Sequence, residues 1–212
     1  PTAYAVITTV PDGENTVQVF GGAAKELTAE DIHEPAVRQE LSGCNYLLLQ
    51  NELTSSCLKG ALLLAQELGI PVVLNPAPAE NIPVELLKMC QLITPNYGEA
   101  KALAGFHPEQ TVSENELAEM FSGLGFPKAV ITMGSKGALI VNNGCWERVE
   151  PVSFGKAVDT TGAGDTFNGV LVACLARGMS LQEACKVASK AAGLSVTRPG
   201  ARGSIPFRPE VE

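Results

Sequence analysis

The richest source of possible chemistry in the chain is the thirteen-residue run Ala157-Val-Asp-Thr-Thr-Gly-Ala-Gly-Asp-Thr-Phe-Asn-Gly169. Three small residues, Gly162 to Gly164, precede Asp165 and a helical pattern. Small residues let backbone N–H groups converge on a ligand, and a helix N-terminus adds about half a positive charge, so this turn can form an anion pocket. Asp165, in the first helical turn, is placed to accept a proton from a hydroxyl while the pocket holds a phosphoryl group in transfer.

A plainer interpretation exists for an isolated G-x-G-D sequence. The acid would then cap a helix, and the glycines would form a tight turn. Two other phosphate-binding patterns are absent from the sequence: there is no G-x-x-x-x-G-K-[ST], and no G-x-G-x-x-G follows the first strand. The choice between the two interpretations of the Asp165 turn therefore depends on the rest of the chain.

Alternating strands and helices are predicted to position this turn. Short apolar runs are typical of buried parallel strands, and longer runs with apolar residues on one helical face predict helices. The alternation predicts an α/β fold, in which a mostly parallel sheet carries helices on both faces. The predicted strands are residues 45–50, 71–75, 91–94 and 128–133, and the predicted helices are 55–68, 84–89, 97–104, 113–121, 164–177 and 180–195.

Two further strand pairs have hairpin composition. Residues 4–10 and 16–20 are β-branched runs separated by Pro11-Asp-Gly-Glu-Asn15, and residues 138–141 and 145–149 flank Asn142-Asn-Gly144. Helix starts are indicated by capping patterns at Thr28, Ser113 and Ser180. We find no internal repeat, low-complexity segment or long linker.

Composition excludes several classes of function. The net charge of −8, without a run of Lys or Arg, argues against nucleic acid or an anionic membrane as the partner, because both need concentrated positive charge. The six cysteines form no C-x-x-C pair and lie mostly in apolar stretches, which indicates reduced core residues of a cytoplasmic protein. Two isolated histidines exclude a His-rich metal site. We also expect no membrane span and no signal peptide.

The Asp165 run resembles the C-terminal signature of the ribokinase family of sugar kinases, also called the phosphofructokinase-B type. Further segments resemble the family's other motifs in the family's own order and span nearly the whole chain. The ensemble is specific even though each piece is short. The segments are Asn75-Pro-Ala-Pro-Ala79, Thr94-Pro-Asn-Tyr-Gly-Glu-Ala100, Thr132-Met-Gly-Ser-Lys-Gly137 and Ser195-Val-Thr-Arg-Pro-Gly-Ala-Arg-Gly-Ser-Ile-Pro206.

The resemblance implies a role for each matching residue. Asp165 would deprotonate the sugar's primary hydroxyl, and the amides of Gly162, Ala163 and Gly164 would form the anion hole. Asn96 would face the phosphates of ATP, and Glu99 would act on Mg²⁺ through water. Glu52 would sit at the ribose site, where the plainer interpretation is a surface acid at a strand end. The segment that would wrap the nucleotide is Thr132, Met133, Gly134, Ser135, Lys136 and Gly137.

The resemblance also implies a monovalent cation, usually K⁺, beside the anion hole. Backbone carbonyls and one carboxylate are the hard oxygen ligands that such a cation prefers. Arg198 would contribute its carbonyl, because a guanidinium repels a cation. Without the resemblance, the segment 195–204 is simply a closing loop. The matching positions are Asp159, Thr161, Ser195, Arg198, Gly200 and Ser204.

The fold implied is a three-layer αβα ribokinase-like fold with a small β lid. Compared with the family pattern, the N-terminal third is absent. We therefore expect residues 1–22 to be the remnant of the lid and residues 23–212 to be the nucleotide-binding α/β core. Lid strands of this family often pair between subunits, which implies a homodimer.

The implied reaction is transfer of the γ-phosphoryl group of ATP to a pentose hydroxyl, the 5-OH of ribose. The nearest alternatives are other kinases of the family, acting on fructose, ketodeoxygluconate or a nucleoside. A different class of alternative is a truncated, non-catalytic nucleotide-binding module, because a fragment would expose sheet edges and lack part of the sugar pocket.

Overall fold

The computed structural model describes residues 1–9, 15–126 and 128–211. Contacts between residues divide these into two compact units. The first unit comprises residues 1–2, 21–132 and 139–147, and the second comprises residues 3–20, 133–138 and the chain from Arg148 onward.

An antiparallel ribbon of two strands belongs to the second unit. It consists of β1 (Tyr4–Thr9) and β2 (Asn15–Phe20), paired from Tyr4 opposite Phe20 to Thr9 opposite Asn15. The Tyr4 and Phe20 rings stack with their centroids 4.7 Å apart. The ribbon predicted for this segment is confirmed, whereas most of the turn predicted at residues 11–15 lies outside the described residues.

The main sheet follows the order of the chain from one edge to the other. The pairs β3–β4, β4–β5 and β5–β6 are parallel. The connections to the last two strands have five and two residues, too short for a parallel crossover, so these strands run antiparallel. The predicted, mostly parallel sheet is confirmed as a mixed sheet. Its strands are β3 (Leu47–Gln50), β4 (Val72–Asn75), β5 (Leu92–Ile93), β6 (Lys128–Thr132), β7 (Ala138–Asn142) and β8 (Cys145–Val149).

Four α-helices of the first unit begin at side-chain caps. The side chains of Thr28, Thr54, Asn96 and Ser113 each accept a backbone N–H of the helix that follows. Such caps satisfy donors that have no partner inside the helix. The α-helices of this unit are α1 (Ala29–Ile32), α2 (Pro35–Leu41), α3 (Ser55–Leu68), α4 (Val84–Lys88), α5 (Tyr97–Leu103) and α6 (Glu114–Gly123). Of these, α2 and α4 begin without a side-chain cap.

The core of the first unit lies between α3 and the sheet strands. The interior strand β4 is buried on both faces, as expected for a parallel strand with neighbours on each side. The largest buried side chains are apolar residues that are at most 1% exposed. They include Leu58, Leu62, Leu74, Ile93 and Ile131.

In the second unit, two long helices pack against each other. They are α7 (Ala163–Ala176) and α8 (Leu181–Ser195), and a short helix α9 (Arg208–Val211) contacts α8. Fully buried Ala184, Ala188 and Ala191 line one side of α8, and small side chains there allow the close approach of α7. Gly178, at φ +83°, ends α7.

Several elements differ from the sequence predictions, including β3, which begins at Leu47 instead of Asn45. Helix α2 was missed, although Pro35 at its first turn is a recognised helix-start signal. The short helix α9 was missed as well, and β5 has two residues instead of four. Within the described parts of the chain, no helix combines the length and apolar character that crossing a membrane requires.

Candidate active site

The start of α7 has an exposed N-terminus formed by glycine. Gly162 occupies the N-cap position with φ +75°, a left-handed conformation that favours glycine, and provides no side-chain cap. Helices α3, α6 and α8, by contrast, begin with a side chain that accepts a backbone N–H. Asp165 lies in the first turn of α7 and is exposed to solvent. The arrangement leaves the positive end of a fourteen-residue helix facing outward beside a carboxylate.

The amides of this turn are not all equivalent. The Ala163 N–H donates to the Thr160 carbonyl at 3.2 Å, and the Thr166 N–H donates to the Gly162 carbonyl at 2.8 Å. Ala163, predicted to contribute its amide to an anion hole, therefore already has a backbone partner in the free chain.

A single carboxylate joins this turn to the closing loop of the second unit. Asp159 accepts the Thr161 N–H at 2.9 Å on one oxygen and the Gly200 N–H at 2.8 Å on the other. A Cβ built on Gly162 would lie 3.4 Å from Ala201. The structure thus brings together Asp159, Thr161 and Gly200, three residues predicted to bind a cation.

These hydrogen bonds stabilise the charged form of Asp159. The Thr161 side chain and amide, followed by the Gly200 amide, hold the pKa of the Asp159 carboxyl below its ordinary value. Each donor favours the ionised carboxylate over the neutral acid. Asp159 is therefore negatively charged at neutral pH.

The other predicted cation residues lie in the same loop of the second unit. Ser195 and Ser204 are each 1% exposed, and their hydroxyls donate to the carbonyls of Ala192 and Ala201. The Arg198 guanidinium forms an ion pair with Glu210. Since its charge is engaged by that carboxylate, the contribution expected from Arg198 is its backbone carbonyl.

The predicted nucleotide loop forms a tight turn in the second unit. The Met133 N–H donates to the Gly137 carbonyl at 2.8 Å across a short 3-10 helix at Gly134–Lys136. A Cβ on Gly137 would lie 2.1 Å from the Val149 carbonyl oxygen, so a larger residue there would displace backbone. Met133 to Gly137, including Ser135, thus form a compact backbone loop.

In the first unit, the structure places Thr132 beside Asn96. The Thr132 N–H donates to the Pro95 carbonyl at 3.0 Å, and Asn96 and Thr132 form a parallel bridge. Both follow or end parallel strands, so they lie at the carboxyl edge of the sheet. In open α/β sheets, this edge is where ligands bind.

Asn96 and Glu99 form a capping box at the start of α5. The Asn96 side chain accepts the Glu99 N–H at 2.9 Å, and the Glu99 carboxylate accepts the Asn96 N–H at 2.8 Å. Burial raises the pKa of Glu99, and the bond from the Asn96 amide opposes this in part. The two residues act as helix caps in the free chain, and their nucleotide and Mg²⁺ roles stay predictions.

Glu52 is exposed in the turn directly after β3, at the same carboxyl edge of the sheet. Its neighbour Asn51, which sequence reasoning missed, joins this turn to the loop after β4. The Asn51 amide donates to the carbonyls of Pro78 at 2.7 Å and Glu80 at 3.0 Å. No local signal identifies Asn51, because its partners are 27 and 29 residues away.

Sequence reasoning also missed two buried polar residues in α7. Thr166 and Asn168 are 3% and 5% exposed, and neither Thr166 Oγ1 nor Asn168 Oδ1 has a hydrogen-bond partner among the described residues. In the same part of the chain, no three His, Cys, Asp or Glu side chains are grouped closely enough to hold a metal ion.

Comparison with known proteins places these features in a family. Residues 1–208 match the pfkB family of carbohydrate kinases. A ribokinase of Staphylococcus aureus is 34% identical over 211 residues, which are 99% of this chain and 68% of that protein. The chain thus spans about two thirds of the length of this relative.

Solved structures agree with the sequence match. A ribokinase of Thermotoga maritima superposes with a TM-score of 0.85 at 36% identity, over 100% of this chain and 68% of the other. A ribokinase of Arabidopsis thaliana, solved with ribose and ATP, gives a TM-score of 0.88 at 29% identity, over 100% and 68%. The predicted ribokinase-like α/β fold is confirmed.

Three findings lead to the same family: the glycine turn without a side-chain cap beside Asp165, the motifs in the family's order, and the match over nearly the whole chain. The protein belongs to the pfkB family of carbohydrate kinases, which are phosphotransferases with an alcohol as acceptor.

Proposed function

We propose that the protein is an ATP-dependent ribokinase that transfers the γ-phosphoryl group of ATP to the 5-hydroxyl of D-ribose. The observation that carries the proposal is the N-terminus of α7, where Gly162 leaves the helix end without a side-chain cap and Asp165 is exposed in the first turn. Two relatives are ribokinases at 34% and 36% identity, and a third was solved with ribose and ATP.

The proposed chemistry is general-base catalysis combined with charge stabilisation. Asp165 accepts the proton of the sugar hydroxyl as that oxygen attacks the γ-phosphorus, and the bond to the β-phosphate oxygen breaks. The N–H groups of the 162–164 turn and the helix dipole stabilise the charge on the phosphoryl oxygens in transfer. A positioned general base contributes on the order of 10²- to 10⁴-fold in rate.

Mg²⁺ bound to the nucleotide would neutralise phosphate charge in transfer. Glu99 is the residue of this chain that we assign to it, through water. The half-buried carboxylate of Glu99 holds the first turn of α5 through the Asn96 amide, which keeps it in one orientation. A fixed carboxylate is a suitable partner for the water ligands that Mg²⁺ retains.

A K⁺ site fits the loop around Asp159. The Asp159 carboxylate accepts the N–H groups of Thr161 and Gly200, so both backbone segments lie beside one negative charge. The Arg198 guanidinium is paired with Glu210, which removes its positive charge as an obstacle. Carbonyl and carboxylate oxygens are the donor set for a hard monovalent cation. We assign to this cation the residues Asp159, Thr161, Ser195, Arg198, Gly200 and Ser204.

We further propose a cytoplasmic location and a homodimer paired through the ribbon. Four cysteines are buried, as predicted for reduced core residues, whereas Cys44 and Cys145 are exposed, and none of the six forms a disulfide. Burial raises the pKa of the Cys90 thiol to about 12. The ribbon exposes apolar side chains, including Tyr4, Val6 and Phe20, and two isolated strands are marginally stable in water.

The decisive experiment is Asp165→Asn in the full-length protein. The amide has nearly the same shape but accepts no proton, so kcat is expected to fall on the order of 10²-fold or more. Nucleotide affinity, measured by calorimetry, is expected to stay the same. Glu183→Gln, which removes an acid near the start of α8, is the matched control. Unchanged kcat in Asp165→Asn would refute the proposed role.

Substrate identity is tested with a panel of ribose, fructose, ketodeoxygluconate and a nucleoside. Ribose is expected to give the highest kcat/KM. The analogue 5-deoxyribose, which lacks the proposed acceptor, is expected to inhibit competitively without consuming ATP. Preference for another sugar would identify one of the other kinases of the family, and nucleotide binding without any turnover would indicate a non-catalytic module.

A further inference from the structure

Asn168 is buried one helical turn beyond Asp165 and has an unsatisfied amide oxygen. The residue is 5% exposed, and its Oδ1 accepts no hydrogen bond from the described residues. An amide withdrawn from water costs free energy unless a partner replaces the water, and such groups are rare in native proteins. We therefore expect the Asn168 amide oxygen to accept a hydrogen bond from a water or a bound molecule.

The position of Asn168 along α7 indicates where this partner lies. Asp165, Asn168 and Leu171 follow at three-residue spacing and so form one strip on the helix. Asp165 is exposed and Leu171 is fully buried, so Asn168 is the first buried residue of the strip. Helical side chains lean toward the helix N-terminus, which directs the Asn168 amide toward the turn that carries Asp165.

We propose that Asn168 is a positioning residue for the proposed base. Its amide oxygen accepts a hydrogen bond from an ordered water beneath the first turn of α7, and this water donates its second hydrogen to the Asp165 carboxylate. A water with two polar partners meets the usual requirement for a buried site. The inference rests on the proposed role of Asp165. It also explains why position 168 is Asn, although an apolar side chain could be buried there without the free-energy cost of burying an amide.

Two other unsatisfied hydroxyls provide matched controls. Thr166 is 3% exposed and lies on the same helix. Side chains of consecutive helical residues point in different directions, so the Thr166 hydroxyl does not face the Asp165 carboxylate. Ser122 belongs to α6 in the other unit, and its hydroxyl likewise has no partner in the described structure. Both share the unsatisfied polar atom of Asn168 without its placement.

The test compares Asn168→Leu, Thr166→Val and Ser122→Ala with the wild type in the full-length protein. Thr166→Val and Ser122→Ala each replace an unsatisfied hydroxyl by an apolar group, so these two controls are expected to keep or raise Tm. Asn168→Leu also displaces the proposed water. Only Asn168→Leu is expected to lower kcat, on the order of 10- to 100-fold, because the base loses its orientation. The KM for sugar and the affinity for nucleotide are expected to remain unchanged.

A fourth variant separates positioning from packing. Asn168→Ser keeps a polar group and leaves room for water, so it is expected to recover part of the kcat that Asn168→Leu loses, despite a lower Tm than Asn168→Leu. A purely structural role would make kcat follow Tm.

Three results would overturn the inference. They are unchanged kcat in Asn168→Leu, equal loss of kcat in Thr166→Val, and no recovery of kcat in Asn168→Ser. Asp165→Asn is assayed in parallel: if that variant keeps its kcat, the proposed function fails, and if it alone loses kcat, the inference about Asn168 fails.

Discussion

At the scale of single residues, close approach of the backbone requires glycine at position 193. Gly193 lies within α8, where a Cβ would sit 2.0 Å from the Val152 carbonyl oxygen and 3.1 Å from its carbonyl carbon. Real Cβ atoms do not occupy such positions, so the helix and the segment after β8 pack through a bare backbone. Gly169 in α7 is different, because nothing lies within 4 Å of its built Cβ.

Gly193→Ala is therefore expected to destabilise the protein by about 1–3 kcal/mol, because backbone must move to admit the methyl group. Gly169→Ala is the matched control, and it is expected to stabilise by about 0.5–1 kcal/mol through helix propensity. Urea unfolding measures both changes. Equal stability of the two variants would contradict the close approach at Gly193.

At the scale of elements, helix starts divide into capped and uncapped ends. Helix α8 begins with Ser180, whose side chain accepts the Glu183 N–H, while Glu183 accepts the Ser180 N–H in return. Helix α7 begins with Gly162 and has no such side chain. A capped end uses amides within the protein, whereas an end without a side-chain cap leaves amides that can bind an anion.

Ser180→Ala is expected to cost about 1 kcal/mol of stability, since the cap of α8 is lost. Ser180→Thr, which keeps a hydroxyl, is the control and is expected to lose less. Thermal unfolding and urea titration measure the difference. A loss in Ser180→Thr equal to that in Ser180→Ala would exclude the hydroxyl as the cause.

The capping box formed by Ser180 and Glu183 predicts that the stability of the protein depends on pH. Hydrogen bonds from the Ser180 side chain and amide hold the pKa of Glu183 below its ordinary value of 4.5. The stabilisation is therefore fully present above that value and disappears as pH falls through the lower pKa of the folded state. The difference in unfolding free energy between wild type and Glu183→Gln is expected to shrink between pH 7 and about pH 3. A difference that grows with acidity would contradict this.

At the scale of the whole molecule, each compact unit contains residues with proposed functional roles. Asn96 and Thr132 meet at the carboxyl edge of the sheet in the first unit, and Asp159, Asp165 and Gly200 belong to the second. The ribbon of the second unit has exposed apolar residues on its two faces, such as Val6 on one and Ile7 on the other. Exposed apolar strands favour association with another chain.

The double variant Val6→Glu and Ile7→Glu is accordingly expected to convert the proposed dimer to a monomer. Charges on the ribbon would face each other across the pairing surface and resist desolvation. Leu63→Glu, at a residue of α3 that is 40% exposed, is the control and is expected to leave the dimer intact. Light scattering after size-exclusion chromatography gives the mass, and a wild-type monomer would refute the dimer.

The sequence by itself determined the features that depend on a few neighbouring residues. Helix α3 was predicted with its observed bounds, because Thr54 caps its start and Gly69, at φ +68°, ends it. The boxes at Ser113 and Ser180 were likewise predicted, since each needs only residues three apart. The order of strands and helices, and the glycine turn before Asp165, followed from the same local rules.

Only the tertiary structure decided which distant residues meet. Asp159 holds the amide of Gly200 41 residues away, Asn51 holds the loop 27 residues further on, and α8 presses Gly193 against Val152. The burial of Asn168 likewise depends on how α7 packs. Such contacts depend on how whole elements pack, which no short stretch of sequence encodes, because the same Asp, Asn or Gly would serve equally well in an ordinary surface turn.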